Sequence, residues 1–270
     1  RGYGRNEKGI VVVSDGKEIR VNAEAAGDEP MLLARRLEGI PVLVGRDRAA
    51  TGRLAVESFA CDVLLLDDAF QHRRVKRDLD FVVMDSTNAW GNGRLLPAGP
   101  LRESLGALSR ADVVFFTRCD VLIDVEEAVK RVQRYTRAKI LFAWHRPLEW
   151  VSALDGGEYS LDFLRGKRVM GFAGIGNPEA FRSTLRATGV DLVRLIKFKD
   201  HHWYNRGDFE RIARVVHTSG AEAIVTTEKD SVRLSVPQAW EVPVYYLRID
   251  FEIQGGFDAL KQVIDSALNA

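Results

Sequence analysis

The 270-residue chain predicts an α/β fold, a mostly parallel, doubly wound sheet with a second, smaller α/β domain. Three observations carry the prediction. Short β-rich runs alternate with amphipathic stretches over residues 31–143, the order of strands joined by crossover helices. Between Trp144 and Lys167 the alternation gives way to a hairpin pattern around Asp155-Gly156-Gly157. It then restarts and continues to the last residues.

In order, Ile10–Val13 and Glu18–Val21 flank the turn residues Ser14-Asp15-Gly16-Lys17 and predict a hairpin. Met31–Leu37 reads as helix, Ile40–Val44 as strand, Arg48–Phe59 as helix, and Val63–Leu66 as a strand buried on both faces. Phe81–Met84 is a strand, followed by a Gly- and Pro-rich loop from Gly91 to Pro100. Val113–Phe116 predicts strand, Glu126–Arg137 helix and Ile140–Ala143 strand. After the hairpin, Arg168–Ala173, Leu192–Phe198, Ala223–Thr226 and Val244–Leu247 are strands. The intervening Pro178–Thr188 and Phe209–Thr218 are helices, as is the final Phe257–Leu268. These patterns set domains at residues 1–144 and 167–270, joined by a hairpin linker at 145–166.

Lysine and arginine nearly balance aspartate and glutamate, for a formal net charge of +1, so no global field points to nucleic acid. Two cysteines, Cys61 and Cys119, are too few for a disulfide framework or a zinc finger and suit reduced thiols. No apolar run approaches the roughly 20 residues of a spanning helix.

The most informative stretch is Val63-Leu64-Leu65-Leu66-Asp67-Asp68, an apolar run ending in two carboxylates. Parallel sheets present ligand-binding residues at the carboxyl ends of their strands, and an acid so placed in phosphoryl-transfer enzymes holds Mg²⁺. The same residues read equally as a strand entering an Asp-rich turn. Asp28 and Glu29, before the helix at Met31, are either complements to the helix dipole or a place for a general base. Asp200-His201-His202 lacks the i, i+4 spacing of a zinc-protease motif. It suits proton handling, with a satisfied surface histidine as the other reading.

Arg102 and Glu103 end a rigid loop and form either a phosphate clamp with its orienting acid or a surface ion pair. Gly171–Pro178 leads from strand to helix, with amides available to an anion, although tight turning explains its glycines equally well. Thr226–Asp230 is a polar cluster at another strand end, or else a solvated loop. Arg73, Arg74, Lys76 and Arg77 form a basic group suited to phosphates or anionic headgroups, or to plain solvation. The phosphate-cradling pattern G-x-x-x-x-G-K-[ST] is absent from the sequence.

Singly these signals are weak, but their order is specific. Arg1-Gly2-Tyr3-Gly4-Arg5 leads, followed by Gly27-Asp28-Glu29-Pro30, Asp67-Asp68-x-Phe70-Gln71-His72 and the Leu96–Glu103 loop. Ala173-Gly174-Ile175-Gly176-Asn177-Pro178, Asp200-His201 and Thr227-Glu228-Lys229-Asp230 complete the series. This series closely resembles the tetraacyldisaccharide 4'-kinase family of lipid A biosynthesis, essentially from end to end. The resemblance implies a P-loop-kinase-like sheet with a smaller α/β domain joined by a β-hairpin linker. It also implies ATP- and Mg²⁺-dependent phosphorylation of the 4'-hydroxyl of a tetraacylated glucosamine disaccharide 1-phosphate, giving lipid IVA at the cytoplasmic face of the bacterial inner membrane.

By the same resemblance Asp28 is the catalytic base supported by His201, and Asp67 and Asp68 are the metal-holding acids. Tyr3, Arg48, Gln71, His72, Arg102 and Glu103 match positions around the nucleotide and substrate. Ala69 stands where family members usually carry glycine. The family's Walker A loop and membrane-associated N-terminal helix are expected upstream of Arg1, so the chain reads as an N-terminally truncated kinase with ATP and acceptor meeting between its domains. The competing readings are a nucleotide-dependent switch or ATPase without an acceptor base, and a non-catalytic module that grips acylated sugars.

Overall fold

A computed structural model of the chain describes residues 8–119, 125–235 and 240–269. In chain order the elements are β1 (Val11–Asp15), α1 (Ala23–Ala26), α2 (Asp28–Arg36), β2 (Pro41–Val44), α3 (Arg48–Phe59), β3 (Phe81–Asp85), β4 (Val113–Thr117) and α4 (Val125–Gln133). Then come β5 (Lys139–Ser152), β6 (Glu158–Ser160), β7 (Arg168–Ala173), α5 (Pro178–Ala187), β8 (Asp191–Lys197), α6 (Arg206–Ser219), β9 (Ala223–Thr227), α7 (Glu228–Ser231), β10 (Val244–Ile253) and α8 (Asp258–Leu268). The α/β alternation read from the sequence is present, most elements falling within a few residues of their expected bounds.

The chain folds into two compact units that are discontinuous in sequence: residues up to Leu65 with Pro147–Ile249, and Leu66–Arg146 with Asp250 onward. The expected division at 144 and 166 follows chain order instead, and β5 runs unbroken through residue 144.

In the first unit the strand order is β5-β10-β9-β7-β8, with β6 added at β5. The β7–β8, β7–β9 and β9–β10 pairs are parallel, and β5–β6 is the antiparallel hairpin expected around Asp155-Gly156-Gly157, with Trp150 opposite Tyr159. Strand β7 is buried along most of its length because helices cover both of its faces. Val169 and Ala173 pack with Phe181 and Leu185 of α5, while Met170 and Phe172 pack with Ile212 of α6. A separate β1–β2 pair joins α1 and α2 in a small cluster of Val11, Val13, Ala26, Met31, Val42 and Val44. Val232 belongs to the same cluster, which brings α2 against the segment after β9.

In the second unit β3-β4-β5-β10 are neighbours, with β3–β4 and β4–β5 parallel. Val114 and Phe116 face Leu108, Ala128 and Val132 on one side of β4, and Val113 and Phe115 face Leu141 and Ile253 on the other.

Two expected elements differ. Glu18–Val21 does not pair as a hairpin strand with β1. Ser14 and Ile19 form an isolated bridge, and the partner of β1 is β2. More consequentially, Val63–Leu66 is not a strand; Leu65 is 89% exposed. An apolar run becomes a buried strand only where neighbours complete its ladder, and none of the described strands pairs with this one.

Candidate active site

Asp28 is the first residue of α2. Gly27 precedes it at φ 93°, a left-handed conformation that costs a glycine little and turns the chain sharply into the helix. The Asp28 carboxylate is 2% exposed, and Oδ1 accepts from the Glu29 amide at 2.9 Å. The dipole reading of this acid therefore describes one of its oxygens. The other, Oδ2, lies 2.8 Å from His201 Nδ1 and 3.2 Å from Arg233 Nη1.

His201 reaches Asp28 from the loop after β8. Its backbone adopts φ 57°, uncommon for a non-glycine residue, and its amide donates to Gly174 O at 3.1 Å and to Asp200 Oδ1 at 3.0 Å. The carboxylate that engages its ring most closely is Asp28. The sequence neighbour Asp200 is 3.8 Å from Nε2. His202 points elsewhere, 2.8 Å from Asp208 in the capping box of α6 and stacked on Phe198.

Behind this pair is a fully buried hub, Asp230. Its carboxylate accepts from the Gly174 amide at 3.1 Å, Thr227 Oγ1 at 2.6 Å, the Tyr204 hydroxyl at 2.8 Å and Arg233 Nη2 at 2.5 Å. Burial, and then the Asp230 charge, push the Tyr204 pKa well above the usual tyrosine value, so the hydroxyl stays a donor. Arg233, with a side chain wholly excluded from solvent, bridges Asp230 to Asp28 and also donates to Gly174 O at 3.1 Å.

The glycine-rich turn after β7 thus gives its Gly174 amide to an internal carboxylate rather than to an external anion. A Cβ at Gly174 would lie 3.0 Å from Asp230 Oδ1 and 3.1 Å from the Tyr204 hydroxyl, which explains the glycine. The Thr226–Asp230 segment is a buried network, not a solvated loop.

The second unit holds the acidic pair. Asp67 and Asp68 are exposed, and Asp68 adopts φ 47°. Asp68 Oδ1 accepts from Arg102 Nη1 at 2.5 Å, a bond that raises the Arg102 pKa above its ordinary value; the two side chains are 55% and 56% exposed. Glu103 pairs with Arg110 at 2.9 Å, and that guanidinium also covers the Phe70 ring at 4.4 Å. Phe70 packs into the core of the unit, so the segment carrying Asp68 is anchored two residues downstream. Gln71 is exposed and His72 partly buried.

Arg77 leaves the expected basic group, because it clasps Asp80 at 2.6 Å and donates to the His72 and Val75 carbonyls. Arg73, Arg74 and Lys76 remain exposed. Arg48, in the first unit, is buried and donates to the Gly45 carbonyl. Tyr3 lies outside the described residues.

The structure therefore joins Asp28 to His201 and Asp68 to Arg102, while Glu103 turns to Arg110. Arg233, Asp230, Tyr204 and Lys229 carried no individual role in the sequence reading. The i, i+3 spacing of Thr227, Asp230 and Arg233 is a local trace of the network, but nothing in it points to Asp28.

Atoms of Asp28, Glu29 and His201 converge within 4.8 Å, the span of a metal site. Lys229 Nζ already stands among them, 3.0 Å from Glu29 Oε1 and 3.4 Å from His201 Nε2, and Mg²⁺ prefers oxygen ligands to imidazole. Asp67 and Asp68 are hard carboxylates exposed to solvent, and Asp68 is paired with Arg102.

A sequence profile described as tetraacyldisaccharide-1-P 4'-kinase matches residues 1–269. The tetraacyldisaccharide 4'-kinase of Syntrophus aciditrophicus is 43% identical over 94% of this chain and 71% of its own length. That of Anaeromyxobacter sp. strain Fw109-5 is 42% identical over 99% of this chain and 72% of its own. Among solved structures, the "apo" form of LpxK from Aquifex aeolicus in complex with ATP superposes with a TM-score of 0.77. It is 29% identical and covers 99% of this chain and 77% of that one.

Proposed function

This chain belongs to the tetraacyldisaccharide 4'-kinase family, and we propose that Asp28 is the general base of its reaction, oriented by His201. The activity is ATP- and Mg²⁺-dependent phosphorylation of a tetraacyldisaccharide 1-phosphate toward lipid IVA. The observation that carries the assignment is the 2.8 Å contact between His201 Nδ1 and Asp28 Oδ2, made across 173 residues of sequence.

In this reading the 4'-hydroxyl of the sugar gives its proton to Asp28 as its oxygen bonds to the γ-phosphorus of ATP. The bond from that phosphorus to the bridging oxygen breaks, and ADP leaves with the electron pair. Arg233 and His201 face the buried Asp28 carboxylate, and a charge so placed needs paired neighbours. His201 fixes the direction of the carboxylate, which matters because phosphoryl transfer depends chiefly on positioning and charge stabilisation. Asp67 and Asp68 would hold Mg²⁺, which supplies neutralisation of the phosphate charge. Arg102, beside Asp68, is a phosphate contact in this reading; Tyr3, Arg48, Gln71 and His72 belong to the cofactor-binding positions, as does Glu103, which orients Arg110.

The site draws Asp28 from the segment 1–144 and His201 from the segment 167–270. Among the described residues no helix is long and apolar enough to cross a membrane. Exposed Arg73, Arg74 and Lys76 support peripheral contact with an anionic membrane surface, where each basic residue contributes on the order of 1 kcal/mol.

The test is Asp28→Ala in the complete gene product. Loss of a general base lowers turnover by about 10²–10⁴-fold, and transfer to the disaccharide at near-normal rate shows that another group takes the proton.

A further inference from the structure

Lys229 stands between Glu29 and His201. Its Nζ is 3.0 Å from Glu29 Oε1 and 3.4 Å from His201 Nε2, with Asp200 Oδ1 at 3.8 Å. An ammonium has three donors and no acceptor, so toward the imidazole it only donates. A ring nitrogen that accepts carries no proton. With Nε2 accepting from Lys229, the proton of a neutral ring falls to Nδ1, the nitrogen 2.8 Å from Asp28 Oδ2. The opposite tautomer sets an N–H against the ammonium and a lone pair against the Asp28 carboxylate, replacing two hydrogen bonds with two repulsions. A doubly protonated ring also meets the ammonium unfavourably.

The surroundings hold the lysine in this role. Its side chain is 22% exposed, partly withdrawn from water, and Glu29 supplies the matching carboxylate. It extends from α7, whose position is set by the buried Thr227–Asp230 hydrogen bonds. Glu29, Lys229, His201, Asp28, Arg233 and Asp230 thus form one continuous row of contacts.

We propose that Lys229 is a positioning residue for phosphoryl transfer, holding His201 in the neutral Nδ1–H tautomer by donating to Nε2. The consequence for catalysis rests on Asp28 being the base. An Nδ1–H donor points one carboxylate oxygen while leaving acceptor capacity for the hydroxyl proton, since an ionised carboxylate offers about four lone-pair sites.

The tautomer is read directly from long-range ¹H–¹⁵N spectra of the labelled chain, with His201→Gln removing, and so assigning, the His201 signals. The expected pattern is a protonated Nδ1 and a bare Nε2. It is lost in Lys229→Met, where Nε2 gains a proton, and kept in Lys229→Arg, which still donates. In the complete gene product, Lys229→Met lowers kcat about tenfold and moves KM less than about twofold, the signature of a misdirected acid–base group, and Lys229→Arg restores most of the loss.

A protonated Nε2 in the unmodified chain overturns the proposal without any variant, even if Lys229→Met fails to fold. An unchanged spectrum in a folded Lys229→Met, or a rise in KM with kcat intact, overturns it too. These outcomes are separate from the base assignment. Full turnover in Asp28→Ala removes the base but leaves the tautomer result standing.

Discussion

Asp28 and Asp68 are both carboxylates beside an arginine, in opposite surroundings. Asp28 is buried, its oxygens fixed by a backbone amide, His201 and Arg233, and Arg233 is itself fixed by Asp230. Asp68 and Arg102 form an ion pair of which each side chain is more than half exposed. A base must point one way before its substrate arrives, and burial among paired charges achieves that at the cost of desolvation. A carboxylate meant for a hydrated cation gains from exposure, because Mg²⁺ keeps several waters and sheds them reluctantly.

This contrast can be broken at its strongest point first. Asp230→Ala leaves the buried Arg233 with Asp28 as its remaining carboxylate partner and strips the Gly174 amide, Thr227 and Tyr204 of their acceptor, and is expected to destabilise the fold by about 3–5 kcal/mol, read from the denaturant midpoint. A loss near 1 kcal/mol would show that the network is not rigid. Tyr204→Phe comes next, because it removes a hydrogen bond to a charged group worth about 1.5–3 kcal/mol.

Tyr204 also has a pH signature. Its folded pKa is raised, so its stabilising contribution is complete below the ordinary tyrosine value of about 10 and declines as pH climbs above it toward the folded value. Denaturation midpoints at rising alkaline pH should fall less steeply in Tyr204→Phe. The smallest effect on stability belongs to Asp68→Ala, within about 1 kcal/mol as for other exposed pairs. Turnover in the complete gene product should nevertheless drop at limiting Mg²⁺ and recover in part as Mg²⁺ is raised. A large stability loss with unchanged Mg²⁺ dependence would make Asp68 a structural acid and erase the contrast.

Legibility in the sequence follows the range of each interaction. Helix α3 and strand β7 have the bounds expected from Arg48–Phe59 and Arg168–Ala173, because the Asp47 cap of the helix and the contiguous apolar run of the strand act within a few residues. The hairpin at Trp150–Tyr159 was equally readable from its turn residues. Val63–Leu66 was not, since its apolar run meets the local requirement for a strand and lacks the non-local one, a paired neighbour. At the site, the motif residues Asp28 and His201 were visible as types in order, whereas Arg233 was not, being an ordinary arginine three residues past Asp230.

Order and spacing of residues along the chain were thus sufficient for the α/β alternation and the family. Which oxygen of Asp28 faces His201, which cation balances it, and which side chain holds the imidazole are contacts between α2, the loop after β8 and the segment after β9. Those arise because the cluster containing Met31 and Val232 closes α2 onto that segment, a packing event with no periodic trace in the residues themselves.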